Sequence, residues 1–117
     1  MHELSIAQAL VEQVEKIVLA EGALRANKVM IAVGAMSGAD PEALRGAFPL
    51  VAEGTSAEEA ELLVEVVPAR VRCRACGSES LAENYFVGCA VCGSREVELI
   101  SGRELHVQSV ELEVEER

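Results

Sequence analysis

The sequence predicts an α+β fold, in which a small three-stranded sheet packs with two helices and a lobe containing four cysteines is inserted between strands. Three observations support this prediction. Apolar residues near the amino end recur at helical spacing, three later stretches alternate between apolar and polar residues, and all four cysteines fall between positions 73 and 92. A chain of 117 residues suits one such core with a small satellite.

The first predicted helix covers "LSIAQALVEQVEKIVLAEG", directly after the opening "MHE". Its apolar residues recur every three or four positions and form one face, made of Leu4, Ala7, Leu10, Val11, Val14, Ile17 and Val18. Gly22 is a suitable C-terminal stop for this helix. Because the helix begins almost at the first residue, the amino terminus is expected to be ordered and to hold His2 beside the fold.

A strand and a second helix follow. The stretch "KVMIAVGAMSG" alternates and ends in glycine and serine, which predicts a strand. In "DPEALRGAFPLVAEG", Asp40 is a suitable cap and Pro41 suits the first helical position. Pro49 is expected to kink or shorten this helix, because proline lacks a backbone N–H. The buried stripe of the helix is predicted to be Leu44, Ala47, Phe48 and Val51.

Two more strands are predicted on either side of the cysteines. The stretch "ELLVEVVPARV" is read as the second strand, and "RELHVQSVELEVEER" as the third. In the third, the parity of the apolar positions switches near Ser109, which indicates a bulge or an edge twist. His106 falls on the more polar face, so it is either a metal ligand or a solvated strand residue, and the polar setting favours the second reading.

Composition and charge exclude several classes of partner. The chain has 20 acidic and 10 basic residues, a net charge of −10, and lacks the basic patch that a nucleic acid or an anionic membrane would attract. No apolar run approaches the ~20 residues needed to span a bilayer. The first residues lack the pattern of a signal peptide, so a cytoplasmic location is expected.

The cysteines form two similar motifs, "CRACGS" and "CAVCGS", separated by 12 residues between Cys76 and Cys89. In a reducing compartment such a cluster indicates metal ligands rather than disulfides. Two C-x-x-C turns, each followed by glycine, are typical of a zinc-ribbon-like tetrahedral site for structural zinc, with an iron–sulfur cluster or a dithiol switch as alternatives. The segment has little apolar content, so it is expected to need the metal to fold, with Tyr85 and Phe86 packing over the site. The zinc ligands would be Cys73, Cys76, Cys89 and Cys92.

The opening "MHE" offers a second kind of metal site. The Met1 amine, the His2 backbone nitrogen and the His2 imidazole can reach one ion and close adjacent five- and six-membered chelate rings. A deprotonated amide nitrogen in the plane suits square-planar Ni(II) or Cu(II). The fourth position would be free for Glu3, water or a partner, which is the layout of a carrier rather than of a permanent structural site.

These motifs together resemble the HypA/HybF family of hydrogenase nickel incorporation proteins. The resemblance covers essentially the whole chain and is carried by "MHELSIAQAL", "VGAMSGADPEALRGAF", "CRACG", "CAVCGS" and "SGRELHVQSVELE". It implies a nickel metallochaperone without catalytic residues, with an α+β nickel-binding domain at 1–69 and 101–117 and a zinc-binding domain at 70–100. The nickel-binding residues would be Met1, His2 and Glu3. The implied partners are the nickel-handling GTPase HypB and the [NiFe]-hydrogenase large subunit, with urease maturation proteins as a further class.

The chain departs from the family at a few positions. Some members carry a histidine beside the cysteine pairs, where this chain has Gly77, Ser78, Gly93 and Ser94, and proline is frequent where it has Ala90. Some members also place a histidine in the zinc lobe that can complete the nickel shell, and this lobe has none. The resemblance therefore does not carry over a pH switch at the zinc or a nickel ligand from this lobe. Two rival functions compete with the metallochaperone. One is a zinc-ribbon adaptor without a labile metal. The other is a thiol oxidoreductase, which would need a thiolate free of zinc.

Overall fold

The computed structural model describes residues 2–82 and 88–115. The predicted α+β class is confirmed, although the described residues form six strands rather than three, arranged in two three-stranded sheets. Tyr85 and Phe86, which the sequence predicts to cover the cysteines, lie outside the described residues. The elements in chain order are α1 Glu3–Ala20, β1 Arg25–Gly34, α2 Pro41–Ala52, β2 Glu61–Val67, β3 Arg70–Cys73, β4 Glu79–Leu81, β5 Val97–Ser101 and β6 Leu105–Glu113.

The first sheet has the order β2-β1-β6, with β1 parallel to β2 and antiparallel to β6. Both helices pack on one face of it, because each presents an apolar stripe that must leave water. The largest core side chains of this layer are Val14, Val29, Ile31, Val33, Leu44 and Phe48. The predicted stripe of α1 is confirmed at Ala7, Leu10, Val11, Val14 and Val18, which are buried. Ile17 is only half-buried, and Leu4, in the first turn, is 49% exposed.

The second helix begins as its sequence predicts. The Asp40 carboxylate accepts a hydrogen bond from the backbone N–H of Glu42, and Pro41 occupies the first turn. Of the two effects expected of Pro49, shortening is wrong, because the helix continues to Ala52, and a kink stays a prediction. Pro49 is exposed, so its ring is accommodated on the solvent side while Phe48 packs into the core.

The stretch "ELLVEVVPARV" is two strands in two sheets, so its prediction as one strand is wrong. β2 ends at Val67 and β3 begins at Arg70. Pro68 cannot donate to a strand ladder and restricts the residue before it, which ends β2. Ala69 is 4% exposed at this junction, so the chain changes sheets at a packed point rather than in a loose linker.

The last strand confirms the predicted irregularity. The β1–β6 register passes from Met30↔Ser109 to Ile31↔Val107, which leaves Gln108 as the extra residue of a bulge. His106 pairs with Ala32 and is exposed, in agreement with its prediction as a solvated strand residue. No helix of the described residues is long and apolar enough to cross a membrane.

Candidate metal centre

The cysteines lie in two loops of matching geometry attached to the second sheet, whose order is β4-β3-β5. In the first loop, the Cys73 N–H donates to the Ser78 carbonyl at 2.8 Å; in the second, the Cys89 N–H donates to the Ser94 carbonyl at the same distance. The first cysteine of each pair, Cys73 or Cys89, is only 2% exposed. The second of each pair is exposed. The repeat seen in sequence is therefore a repeat of structure.

The glycine behind each pair has a specific backbone role. Gly77 and Gly93 have φ angles of 79° and 77°, a region that glycine adopts without a steric penalty. Their N–H groups donate to the carbonyls of Cys73 and Cys89 at 2.9 Å and close the turns. This closure directs other N–H groups at sulfur. Each buried sulfur accepts two backbone hydrogen bonds, at 3.3–3.4 Å in the first loop and 3.3 Å in the second.

The four sulfurs converge on one point. Sγ of Cys73 is 3.6 Å from Sγ of Cys92, and Sγ of Cys76 is 3.6 Å from Sγ of Cys89. All four lie within 4.8 Å of one another. A tetrahedral zinc site with Zn–S bonds of about 2.3 Å needs sulfur separations of about 3.8 Å. The sulfurs therefore stand close to the spacing that tetrahedral zinc requires.

The electrostatics of the cluster favour a bound cation. Hydrogen bonds from the Ser78 hydroxyl and the Ser78 backbone N–H lower the pKa of Cys76 to about 6. The backbone N–H of Ser94 favours the thiolate of Cys92, but the neighbouring thiols of Cys73 and Cys89 raise the pKa of Cys92 to about 12. Sulfurs this close repel one another when all are ionised, and a divalent cation removes that repulsion.

The other predicted metal group lies at the start of α1. His2 precedes the helix at the N-cap position, and its carbonyl accepts the Ile6 N–H at 2.9 Å. Its side chain makes no capping hydrogen bond and is exposed. The fold therefore uses the backbone of His2, and within residues 2–82 and 88–115 its imidazole makes no hydrogen bond. Met1 lies outside the described residues.

The structure adds Asp40 to this end of the molecule. Its backbone N–H donates to Oε2 of Glu3 at 3.2 Å, across 37 positions of sequence. The sequence predicts Asp40 only as a helix cap, because local capping patterns carry no information about a tertiary neighbour. The starts of α1 and α2 are thus held together by a carboxylate of the predicted nickel group.

His106 does not belong to a cluster of metal-binding side chains among the described residues. Among the described residues, the four cysteines are the only cluster of three or more side chains from histidine, cysteine, aspartate and glutamate placed to hold one ion. His106 is exposed on β6, opposite Ala32, and is not part of that cluster. Its interpretation as a solvated residue agrees with this placement.

Comparison with known proteins identifies the family. Residues 1–112 match the family described as hydrogenase/urease nickel incorporation, metallochaperone, HypA. The hydrogenase maturation factor HypA of Nitrosospira multiformis is 42% identical over 96% of this chain and 97% of its own length. That of Aquifex aeolicus is 39% identical over 98% of this chain and 100% of its own length.

A solved structure agrees at the level of the fold. The solution structure of the Ni metallochaperone HypA from Helicobacter pylori superposes with a TM-score of 0.73 at 23% identity, covering 98% of this chain and 100% of that one. The same family is indicated by the match over nearly the full length, by the order of elements and by the cysteine cluster. The chain belongs to the HypA family of hydrogenase and urease nickel-incorporation metallochaperones.

Proposed function

We propose that this chain carries Ni(II) at its amino terminus and delivers it for the maturation of [NiFe]-hydrogenase. The main support for the proposal is the family match over residues 1–112. These residues include His2, whose imidazole is exposed and makes no capping hydrogen bond. A side chain that the fold does not use is available to a ligand at no cost in stability. The cargo site would consist of the Met1 amine, the amide and imidazole nitrogens of His2, and Glu3 or an exchangeable ligand.

The chemistry of this site suits transfer. The terminal amine and the two His2 nitrogens are neighbours in the chain, so they form chelate rings without any rearrangement of the fold. Glu3 is held near by the Asp40 N–H, which places a carboxylate at the same end of α1. An open fourth coordination position on the nickel ion allows a receiving protein to add its own ligand before the carrier dissociates from the ion.

The cysteine cluster is proposed to hold structural zinc. Cys73, Cys76, Cys89 and Cys92 supply four sulfurs, which is a closed set without a position for substrate. We therefore assign residues 70–100 to a zinc-binding domain, 1–69 and 101–117 to the nickel-binding domain, and no catalytic role to either. A thiol oxidoreductase would need one of these sulfurs free.

The proposed partners follow from the delivery role. A metallochaperone for hydrogenase must meet a nickel-handling GTPase of the HypB type and the hydrogenase large subunit, and we place this exchange in the cytoplasm. Urease maturation proteins are a second set of clients, since the family description includes urease. In a strain lacking the gene, hydrogenase should remain immature under nickel limitation and recover at least partly with excess nickel; normal activity in that strain would exclude the role.

Calorimetric nickel titration of the untagged protein tests the site directly. His2→Ala and a one-residue extension before Met1 should each abolish tight binding, because each removes a chelate ring while leaving the zinc content unchanged. His106→Ala is the matched control, since it removes the chain's other histidine from an exposed strand position. Unchanged nickel affinity in the extended protein would show that the amine is not a ligand.

The same titration separates the rival adaptor function. A zinc-ribbon adaptor without a labile metal would bind no nickel in a manner that depends on His2. Nickel binding that is lost equally in His2→Ala and His106→Ala would instead indicate adventitious coordination by exposed imidazoles. Only loss confined to the amino-terminal changes agrees with the cargo site.

A further inference from the structure

The outer edge of β2 is open. β2 pairs with β1 from Lys28↔Glu61 to Gly34↔Val67 without a register shift. Within residues 2–82 and 88–115, no other strand pairs with β2, so alternate N–H and C=O groups along its far side have no strand partner. Such an edge is a template for a further strand.

The opposite edge of the same sheet is interrupted by a bulge, whereas β2 is regular. β6 has the bulge at Gln108, which disrupts regular pairing at that edge. β2 has no bulge, no lysine and no arginine in "ELLVEVV", and its proline comes only afterwards, at Pro68. β2 therefore lacks a bulge, a proline and basic side chains, and its charged side chains are the carboxylates of Glu61 and Glu65, which disfavour pairing with another acidic strand but not with a basic one.

The side chains of β2 define what would fit. Leu62 and Val64 face the helices and pack against the core. The other face of β2, which points away from the helices, carries Glu61, Leu63 and Glu65. These residues lie opposite Lys28, Met30 and Ala32 of β1. The edge thus presents two exposed carboxylates four residues apart with a half-buried leucine between them. Cross-strand neighbours on one face stabilise a sheet when their charges are opposite.

We propose that the edge of β2 binds an extended segment of a partner protein by strand addition, and that this segment has the pattern basic–apolar–apolar–apolar–basic. Its two basic side chains would stand across from Glu61 and Glu65, and its central aliphatic side chain across from Leu63. Backbone hydrogen bonds give the affinity and the two carboxylates select the partner. None of the residues assigned to nickel or zinc takes part, so this surface is additional to the proposed metal sites.

A second copy of this chain is a poorer occupant. Antiparallel self-pairing centred on Leu63 sets Glu61 of each copy opposite Glu65 of the other, and like charges across a ladder are destabilising. The chain does contain an alternating basic stretch, "RVRCR", but β3 occupies most of it and is paired on both sides, with β4 and β5. A basic segment of another protein fits better than either.

The test uses a terminally blocked, fluorescein-labelled peptide with the core Lys-Val-Leu-Val-Lys and the full-length zinc-loaded protein. Fluorescence anisotropy should show binding that weakens about tenfold in the Glu61→Lys/Glu65→Lys protein, since two attractions become two repulsions. Glu111→Lys is the matched control: it reverses an exposed charge on the same face, but on β6, and should change binding less than twofold. A peptide with glutamate in place of both lysines should not bind.

Amide hydrogen exchange distinguishes strand addition from simple charge attraction. Bound peptide should slow exchange at alternate amides of β2, those that point outward, and leave β6 unchanged. Equal binding by the Glu61→Lys/Glu65→Lys protein, or protection absent from β2, would overturn the proposal. So would a concentration-dependent dimer of the free protein that protects the same amides, because the occupant would then be a second copy.

Discussion

The backbone of Gly102 lies directly against Gly34, where the connection between β5 and β6 passes the end of β1. A Cβ at Gly34 would overlap the Gly102 carbonyl group and stand 2.6 Å from the backbone nitrogen of Arg103. The Gly34 N–H donates to the Glu104 carbonyl at 2.6 Å, and the Met36 N–H to that of Gly102 at 2.7 Å. The two sheets are therefore joined by backbone contacts that leave no space for a side chain.

Gly34→Ala should destabilise the protein by at least about 2 kcal/mol, because the atoms it meets are backbone and cannot move aside as a flexible side chain could. Urea unfolding of the zinc-loaded protein measures this. Gly46→Ala is the matched control: it lies within α2, and an added Cβ there meets nothing within 4 Å. That change should be neutral or stabilise by about 0.5–1 kcal/mol. Similar losses in both variants would contradict the close approach.

The sequence predicts best what neighbouring residues decide. The cap at Asp40, the two cysteine turns and the bulge near Ser109 follow from local patterns, and the structure contains all three. It predicts less well what depends on distant contacts. Ala69 separates two strands because it packs against Gly102: a Cβ added at Gly102 would be 2.7 Å from the Ala69 Cα. The stretch "ELLVEVVPARV" contains no information about that distant neighbour.

Removal of the metal should unfold the cysteine lobe and spare the first sheet. Purified protein is expected to carry about one zinc per chain. Cys76→Ser replaces one of the four converging sulfurs by a poor zinc ligand, so it should lower the zinc content and raise amide exchange in β3, β4 and β5. The first sheet has its own apolar core and should keep its protection.

Val91→Ser is the control for this experiment. Val91 lies in the second cysteine loop and is 69% exposed, so the change adds a hydroxyl near the site without removing a ligand. Elemental analysis should find unchanged zinc in this variant. Native protein without zinc but with four reactive thiols would count against a structural metal, and would return the dithiol interpretation to consideration.

Asp40→Ala should cost about 1 kcal/mol through loss of the helix cap, because the carboxylate satisfies the Glu42 N–H at the start of α2. Asp40→Asn keeps a capping oxygen and should cost much less. Both variants keep the backbone N–H of residue 40, which donates a hydrogen bond to the Glu3 carboxylate. Thermal unfolding separates the two outcomes; equal losses would show that the negative charge of Asp40, and not its capping oxygen, matters for stability.

Pro49→Ala should stabilise the protein by about 1–3 kcal/mol. Pro49 is the ninth residue of the 12-residue helix α2, where it removes an N–H that the helix would otherwise use. Its side chain is exposed, so alanine loses little packing. Leu50→Ala is the control, since Leu50 is 71% exposed and the change should shift stability by less than about 0.5 kcal/mol. Chemical denaturation of both variants measures the difference. Destabilisation by Pro49→Ala would mean that the proline holds the end of α2 in place for Phe48 to pack, rather than being tolerated there.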